Sequence, residues 1–409
     1  MGVLAAWKFF EREGFVNMGF LSGPLSFQCF QIDGDDTRQF GPSDIKILEK
    51  FAISEVAATA EQPGVGFLAG EHLLDLKFSL EKNVIGEALN CAIRVDTHQI
   101  AAAVRKAWQQ LELAALTADN PDSRPTKAQR QEAREALEAR CEDEIRSGRF
   151  LRMQQFPVLW DARQRMLYFG ASSATAADLC CDLFARAFGL KLQPMTASRR
   201  AHNWATEAKR RKTLDQTIPS VFHTNNTTAE ISWWNQQEGN WDFLGNEFLL
   251  WLWWRWETVS DTIALGDQSE VTGMFARTLS LQCPRDESGK ETITADGPTG
   301  LPEVMQAVRS GKLPRKAGMT IVRQGEQYDL TIQPETFMIS GAKIHVEDTS
   351  EGRGVLEDRI ESVRSLHETV DLMFRAFCEQ RVGKSWSGEL EQISRWLKSE
   401  GPRRKNPAA

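Results

Sequence analysis

The stretch LGNEFLLWLWWRWE, residues 244–257, contains four tryptophans within six positions. Its apolar run from Phe248 to Trp254 lies between Glu247 and Arg255, so it is far shorter than the ~20 residues that a membrane-spanning helix needs. The stretch therefore predicts an element inside a folded domain, around which the rest of the chain packs.

The spacing of the large side chains predicts that this element is a core helix. Asn246 is expected to cap it, and Glu247 would lie favourably at its positive end. Phe248, Trp251 and Leu252 then share one face. Further aromatic residues make the helix apolar nearly all round, so we expect burial on two sides. A core position is favoured over a base-stacking or ligand platform because aromatic stripes at helical spacing usually form cores.

Three more tryptophans, Trp233, Trp234 and Trp241, lie in the polar connection that leads to this helix. Their rings could stack on nucleic-acid bases or pack over the helix. The large area that a tryptophan buries favours packing.

Length and composition indicate a folded protein of the cytoplasm. The chain has 409 residues, of which 41% are apolar and 9% aromatic, enough for two or three structural units with real cores. Its seven cysteines form no CxxC pair, which favours reduced thiols and argues against a structural zinc. The start lacks the features of a signal peptide, and no segment is apolar enough to span a membrane.

Helical and strand-like segments alternate only in part, which favours an α+β fold with mixed or antiparallel sheets. The N-terminal half predicts strands at 24–33, 73–80, 87–96, 156–162, 165–171 and 190–195, and a helix at 175–188. The C-terminal half predicts a run of short antiparallel strands, followed by helices at 356–380 and 388–398.

Two consecutive helices separated by prolines predict a long, charged hairpin at 97–147. Asp96 or Thr97 is expected to cap the first helix, and Thr126 with Gln129 forms a capping box for the second. The predicted regions are 1–17, an extension that is disordered or not native; 18–196, an α+β region with the hairpin; 197–262, a basic helix, a polar connection and the tryptophan helix; 263–348, a β-rich region; and 349–409, a helical C-terminus with a basic tail.

Familiar catalytic and nucleotide-binding motifs are missing from the sequence. The glycines of GVGFLAG, residues 64–70, do not have the GxGxxG spacing, and GxxxxGK[ST], GxSxG and HExxH do not occur. We therefore expect no catalytic residues, no metal site and no cofactor. One alternative is a metal-dependent nuclease or other DNA-processing enzyme that uses acidic residues such as Asp242, Glu247 and Glu257.

The segment 198–212 is the densest positive region of a chain whose formal net charge is -7. It carries six basic residues and one acidic residue, Glu207, and its spacing predicts a helix with Arg200, Trp204 and Arg211 near one face. Lysine and arginine neutralise phosphates without reading bases, so such a site would bind DNA with little sequence preference. A solvated helix face is the alternative. The candidate DNA-binding residues are Arg199, Arg200, Lys209, Arg210, Arg211 and Lys212, together with Arg105, Lys106, Arg130 and Arg134 of the hairpin.

Two parts of the sequence resemble the recombination-associated protein RdgC family. The block 88–195 is similar to the central part of that family through its pattern of strands, hairpin and helix. The tryptophan stretch resembles a Gly-x-Glu-Phe-Leu-x-Trp-Leu-Trp pattern of its longer members. The positions that match this pattern are Gly245, Glu247, Phe248, Leu249, Trp251, Leu252 and Trp253.

The resemblance implies a non-catalytic DNA-binding protein whose two subunits close into a ring around duplex DNA. It further implies binding without sequence preference, a nucleoid-associated location, and an indirect connection to RecA-dependent recombination. An acidic chain suits such a ring because only the inner surface needs positive charge. A protein-interaction scaffold without nucleic acid is a further alternative, which would use the aromatic region.

Overall fold

The computed structural model describes residues 19–34, 38–53, 62–118, 124–222, 231–234, 237, 239–284, 289–344 and 352–399. The predicted extension at 1–17 and the basic tail from 400 onward lie outside these residues. The described chain combines a large antiparallel sheet with helices, which confirms the α+β prediction.

Thirteen strands of the described chain form one sheet in which every strand pair is antiparallel. The strands are β1 Leu25–Ile32, β2 Gly64–Leu68, β3 Val84–Ile85, β4 Ala88–His98, β5 Leu151–Asp161, β6 Met166–Phe169, β7 Leu192–Pro194, β8 Thr262–Ala264, β9 Glu270–Gln282, β10 Lys290–Ala295, β11 Leu313–Arg323, β12 Glu326–Gln333 and β13 Met338–Ile344. Their order is β10-β9-β11-β12-β13-β1-β6-β5-β4-β2, with β3 on β4, β7 on β1 and β8 on β9.

Strand β1 joins the two halves of this sheet. Its first residues, Leu25 and Phe27, pair with β13 of the C-terminal half. The segment 28–31 pairs with β6 of the N-terminal half. The two halves are therefore held together by backbone hydrogen bonds as well as by side chains.

Eleven helices accompany the sheet in the described chain. They are α1 Pro42–Lys50, α2 Leu80–Asn83, α3 Ala102–Thr117, α4 Lys127–Arg146, α5 Ala174–Phe188, α6 Ala197–Glu207, α7 Arg211–Asp215, α8 Phe243–Thr258, α9 Pro302–Arg309, α10 Arg353–Arg381 and α11 Trp386–Lys398. None of them combines the length and apolar character that crossing a membrane would take.

The strand predicted at 73–80 is wrong. This segment is a loop organised around Asp75, whose carboxylate accepts hydrogen bonds from the backbone N–H groups of Glu71 (3.1 Å) and Lys77 (3.2 Å) and from the Lys82 ammonium (2.5 Å). Local bonds to an aspartate side chain replace the ladder bonds of a strand.

The hairpin forms from α3 and α4, and the predicted capping box is present. The Thr126 hydroxyl accepts from the Gln129 backbone N–H at 3.2 Å, and the Gln129 side chain accepts from the Thr126 N–H at 3.0 Å. The predicted cap at Asp96 or Thr97 is wrong because β4 continues to His98 and α3 begins after Ala101.

The tryptophan helix α8 is buried from Phe243 to Trp254, as its apolar pattern predicts. It begins at Phe243, so the prediction that Asn246 caps it is wrong. Asn246 instead lies inside the helix and is fully buried, where its side-chain nitrogen donates to the Pro314 carbonyl and to Glu335, each at 2.7 Å. A polar residue that resembles a cap in the sequence therefore ties α8 to β11 and to the β12–β13 turn.

Helix α8 lies between the C-terminal half of the sheet and the two C-terminal helices. Trp251 contacts Phe377 of α10, and Trp253 contacts both Phe275 of β9 and Trp396 of α11. Gly245 passes so close to the β12–β13 turn that a Cβ there would lie 2.5 Å from the Pro334 carbonyl oxygen. These contacts place the helix at the centre of the larger hydrophobic core.

Candidate nucleic-acid interface

The basic segment 198–212 forms two helices, not the single helix that its spacing predicts. Helix α6 ends at Glu207, and Lys209 has a left-handed backbone with φ of 56°. The chain then turns into the short helix α7 at Arg211. No glycine or proline marks this break in the sequence.

Burial of the α6 face explains why the helix ends where it does. Ala197, Ala201 and Trp204 of this face are buried. An uninterrupted helix would carry the same face on through Arg211 and Lys212 and bury both charges. The break instead buries Leu214 of α7 and leaves Arg211 and Lys212 exposed.

Arg200 does not lie on the exposed surface, which corrects the prediction that it contacts phosphate. It is 3% exposed, and its guanidinium donates to Asp371 at 2.6 Å and lies 4.6 Å from the centre of the Phe337 ring. Its Nε donates to the Met195 carbonyl at 3.3 Å. Arg200 therefore anchors α6 to α10 and to the turn before β13.

Five basic side chains of this region face solvent, and we call them the α6–α7 basic patch. Four are exposed and Arg199 is partly exposed, and none has an ion-pair partner among the described residues. The pKa of His202 is lowered by burial and by the guanidinium groups of Arg211 and Arg199, so both charges act on this one imidazole. The patch consists of Arg199, Lys209, Arg210, Arg211 and Lys212.

The acidic residue within the segment does not neutralise the patch. Glu207 accepts two hydrogen bonds from Arg375 of α10, at 2.5 and 3.2 Å, and Arg375 also donates to Asp371 at 2.7 Å. Asp215 of α7 lies close enough to oppose the lowering of the His202 pKa. The patch therefore keeps a net positive charge beside one carboxylate.

The hairpin residues form a second, separate group. Arg105 forms an exposed ion pair with Glu138 of α4 at 2.7 Å, so a carboxylate lies beside its charge. Lys106, Arg130 and Arg134 are exposed, and no ion-pair partner for them occurs in the described ranges. The structure shows no hydrogen bond or ion pair between the described parts of the hairpin and of α6 and α7.

The first turn of α4 carries two cations and no acidic residue, which opposes the helix dipole. Lys127 and Arg130 lie in this turn, where the dipole favours anions, whereas the last turn contains the favourable Arg146 beside acidic residues. Each unfavourable terminal charge costs about 0.3–1 kcal/mol at low salt. A phosphate backbone beside the N-terminal half of α4 would offset this cost.

The tryptophans before α8 pack against the core, as predicted. Trp241 is buried, and Trp233 and Trp234 are partly buried. The Trp233 indole donates to Asn246 at 3.2 Å, and Arg315 lies 4.3 Å from its ring centre. Base stacking on the Trp233 face that Arg315 covers would require Arg315 to move.

The acidic residues considered for a nuclease have separate structural partners. Glu247 pairs with the Arg381 guanidinium and accepts from the Ser220 backbone N–H at 2.6 Å. Burial raises the pKa of Asp242 and of Glu257, although hydrogen bonds to each carboxylate act in the opposite direction. Within the described chain, no group of three histidine, cysteine, aspartate or glutamate side chains has an arrangement that could hold a metal ion.

No protein-family model and no curated protein matches the chain. The candidate interface therefore depends on the position and charge of its own residues.

Proposed function

We propose that this protein binds DNA without sequence preference, acts as a non-catalytic RdgC-like homodimer, and modulates RecA-dependent recombination in the nucleoid. The observation that carries the DNA-binding part is the α6–α7 basic patch. Five side chains on α6, α7 and the turn between them have no ion-pair partner among the described residues and form a local positive surface on an acidic chain.

The chemistry of the patch supports contact with phosphates. Its cations are lysine and arginine, and the neighbouring tryptophans are packed into the core. Such a surface neutralises the DNA backbone through phosphate contacts, which carry no base information. We therefore expect similar affinity for unrelated duplex sequences and a strong dependence on salt.

An unpartnered face of α3 supports the dimer. No residue of α3 is buried, and Ala103, Ala107, Leu111 and Ala114 recur on its exposed side, with Leu111 61% exposed. In a symmetric dimer the same patch of both subunits is covered. Pairing of two hairpins through this face would remove apolar surface from water.

A binding series distinguishes this proposal from the alternatives. The protein is mixed with two unrelated duplexes of equal length and with single-stranded DNA, each with and without magnesium, and complexes and products are separated on gels. We expect equal retardation of both duplexes and intact DNA in every lane. Cleavage with magnesium would support a nuclease, and absence of any complex at low salt would support a protein-interaction scaffold.

A further inference from the structure

An open cleft of about 290 Å³ lies where the N-terminal half of the sheet meets the start of α10. It is separate from both basic groups. Leu21, Ile85 and Leu356 form apolar walls, and the Asp75 loop forms the rim. Leu356 belongs to α10, so both halves of the chain contribute to the cleft.

The side-chain sizes along β4 make room for this cleft. Leu89 and Cys91 point into the core on one side of the sheet. The opposite side of the strand carries Ala88, Asn90 and Ala92 in succession. The two alanines are small and leave space beside the strand. Asn90 has the only polar side chain of the three, and of the three it alone lines the cleft.

The Asn90 side chain is covered except where its amide borders the cleft. The residue is 6% exposed, and its side chain makes no hydrogen bond among the described residues, whereas its backbone carbonyl accepts from Asn83. Gly70 beside it has φ of 116°, and a Cβ there would lie 3.8 Å from the Asn90 amide nitrogen. Its amide therefore has free hydrogen-bonding capacity toward a space large enough to contain a ligand.

The rim of the cleft is acidic and firmly held. The Lys82 ammonium forms ion pairs with Asp75 at 2.5 Å and with Glu71 at 3.3 Å, so its positive charge is balanced within the loop. Glu81 is exposed and has no ion-pair partner among the described residues. Arg353 of α10 also lies at this rim, where it donates to the Glu81 carbonyl at 2.8 Å and pairs with Glu357 at 3.4 Å. The carboxylates at the rim still outnumber its cations, which disfavours phosphates and carboxylates.

We propose that this cleft binds an uncharged aminopurine base. A carboxamide presents one donor and one acceptor side by side, and asparagine pairs in this way with the amino group and the adjacent ring nitrogen of adenine. The apolar walls suit the faces of a planar ring, and the acidic rim selects the free base over its phosphorylated forms. This site does not depend on the DNA-binding proposal.

Isothermal titration of the full chain with adenine and with adenosine monophosphate tests the proposal. We expect adenine to bind and the monophosphate to bind more weakly, and Glu81→Gln to reduce that difference. Asn90→Leu should weaken adenine binding about tenfold or more because it removes a bidentate pair. The matched control is Gln110→Leu, which removes the same amide from the exposed side of α3 and should leave binding unchanged.

Asn90→Asp serves as a second variant because it keeps the side-chain size and replaces the amide donor by a carboxylate oxygen that can only accept. Thermal unfolding of each variant establishes that it is folded before titration. Adenine binding that is undetectable in the wild type, or unchanged in a folded Asn90→Leu or Asn90→Asp protein, would overturn the proposal. Equal binding of the monophosphate would overturn the role of the acidic rim.

Discussion

Truncation of Trp251 should destabilise the whole protein and leave the DNA-binding chemistry of the folded molecules unchanged. The side chain is 1% exposed, contacts Phe377, and donates from its indole nitrogen to Glu389 at 2.8 Å. Removal of a buried tryptophan side chain costs about 3–5 kcal/mol of unfolding free energy. Trp251→Ala would therefore remove much of a typical domain stability of about 5–15 kcal/mol.

Urea unfolding followed by far-ultraviolet circular dichroism measures this destabilisation. Trp251→Phe is a milder control because it keeps most of the apolar volume and removes the hydrogen bond to Glu389. It should lower the free energy of unfolding by about 1–3 kcal/mol. DNA affinity is then measured in dilute buffer on protein shown to be folded. A Trp251→Ala protein with a wild-type unfolding midpoint and no DNA binding would refute the core assignment of α8.

Three further perturbations test separate parts of the account. Arg200→Gln should cost about 1.5–3 kcal/mol because it removes a charge-assisted hydrogen bond to Asp371, which keeps Arg375 at 2.7 Å as a partner, and the salt dependence of DNA binding measured on folded protein should not change. Burial raises the pKa of Asp371, but Arg200 and Arg375 outweigh it and hold that pKa below its ordinary value. The stability from this carboxylate is therefore complete above about pH 4 and is lost as the pH falls through the lowered pKa, a loss that acid titration should find reduced in Arg200→Gln. Protonation of His202 adds positive charge beside the patch, so fluorescence anisotropy should show tighter DNA binding as the pH falls through the lowered pKa of His202, and His202→Gln should abolish that gain. Leu111→Lys should convert the dimer to a monomer in light scattering at micromolar concentration, and a wild-type protein that is monomeric at high concentration would contradict the dimer itself.

Much of the fold could be predicted because hydrophobic periodicity survives in the finished structure. The alternation in 87–96 becomes β4, and the helical spacing in 175–188 becomes α5 almost residue for residue. The apolar run of the tryptophan stretch becomes a buried helix because nearly every position has a core neighbour. These elements depend on local pattern, which a sequence displays directly.

The wrong predictions share a cause, which is that a distant partner decides the local structure. Asn246 resembles a cap, but Pro314 and Glu335 supply its hydrogen bonds from other elements. The helix breaks at Lys209 because the core buries Leu214 and leaves the charges of Arg211 and Lys212 in solvent. No glycine or proline in the sequence marks this break. The segment 73–80 has strand-like composition, but the Asp75 carboxylate accepts a hydrogen bond from the Lys77 backbone N–H in place of a neighbouring strand.

The candidate sites were only partly visible in the sequence. The charge density of 198–212 marked the patch, but Arg200 could have been separated from it by the buried stripe of Ala197, Ala201 and Trp204. Asn90 was missed, although an asparagine between two alanines on one side of a strand is an unusual place for an amide. Its lack of a partner becomes apparent only when the cleft around it is known.

The salt dependence of duplex binding tests the central claim most directly. One variant changes the five residues of the α6–α7 basic patch to glutamine and keeps Arg200. A control variant of equal net charge changes five exposed lysines on other elements, Lys46, Lys77, Lys290, Lys343 and Lys384, to glutamine. The slope of log affinity against log salt should become shallower by about 0.9 for each phosphate that is no longer neutralised, up to about 4.5 for the patch variant, and should stay near the wild-type value in the control. Equal slopes in the wild type and the patch variant would contradict the claim that these side chains bind DNA.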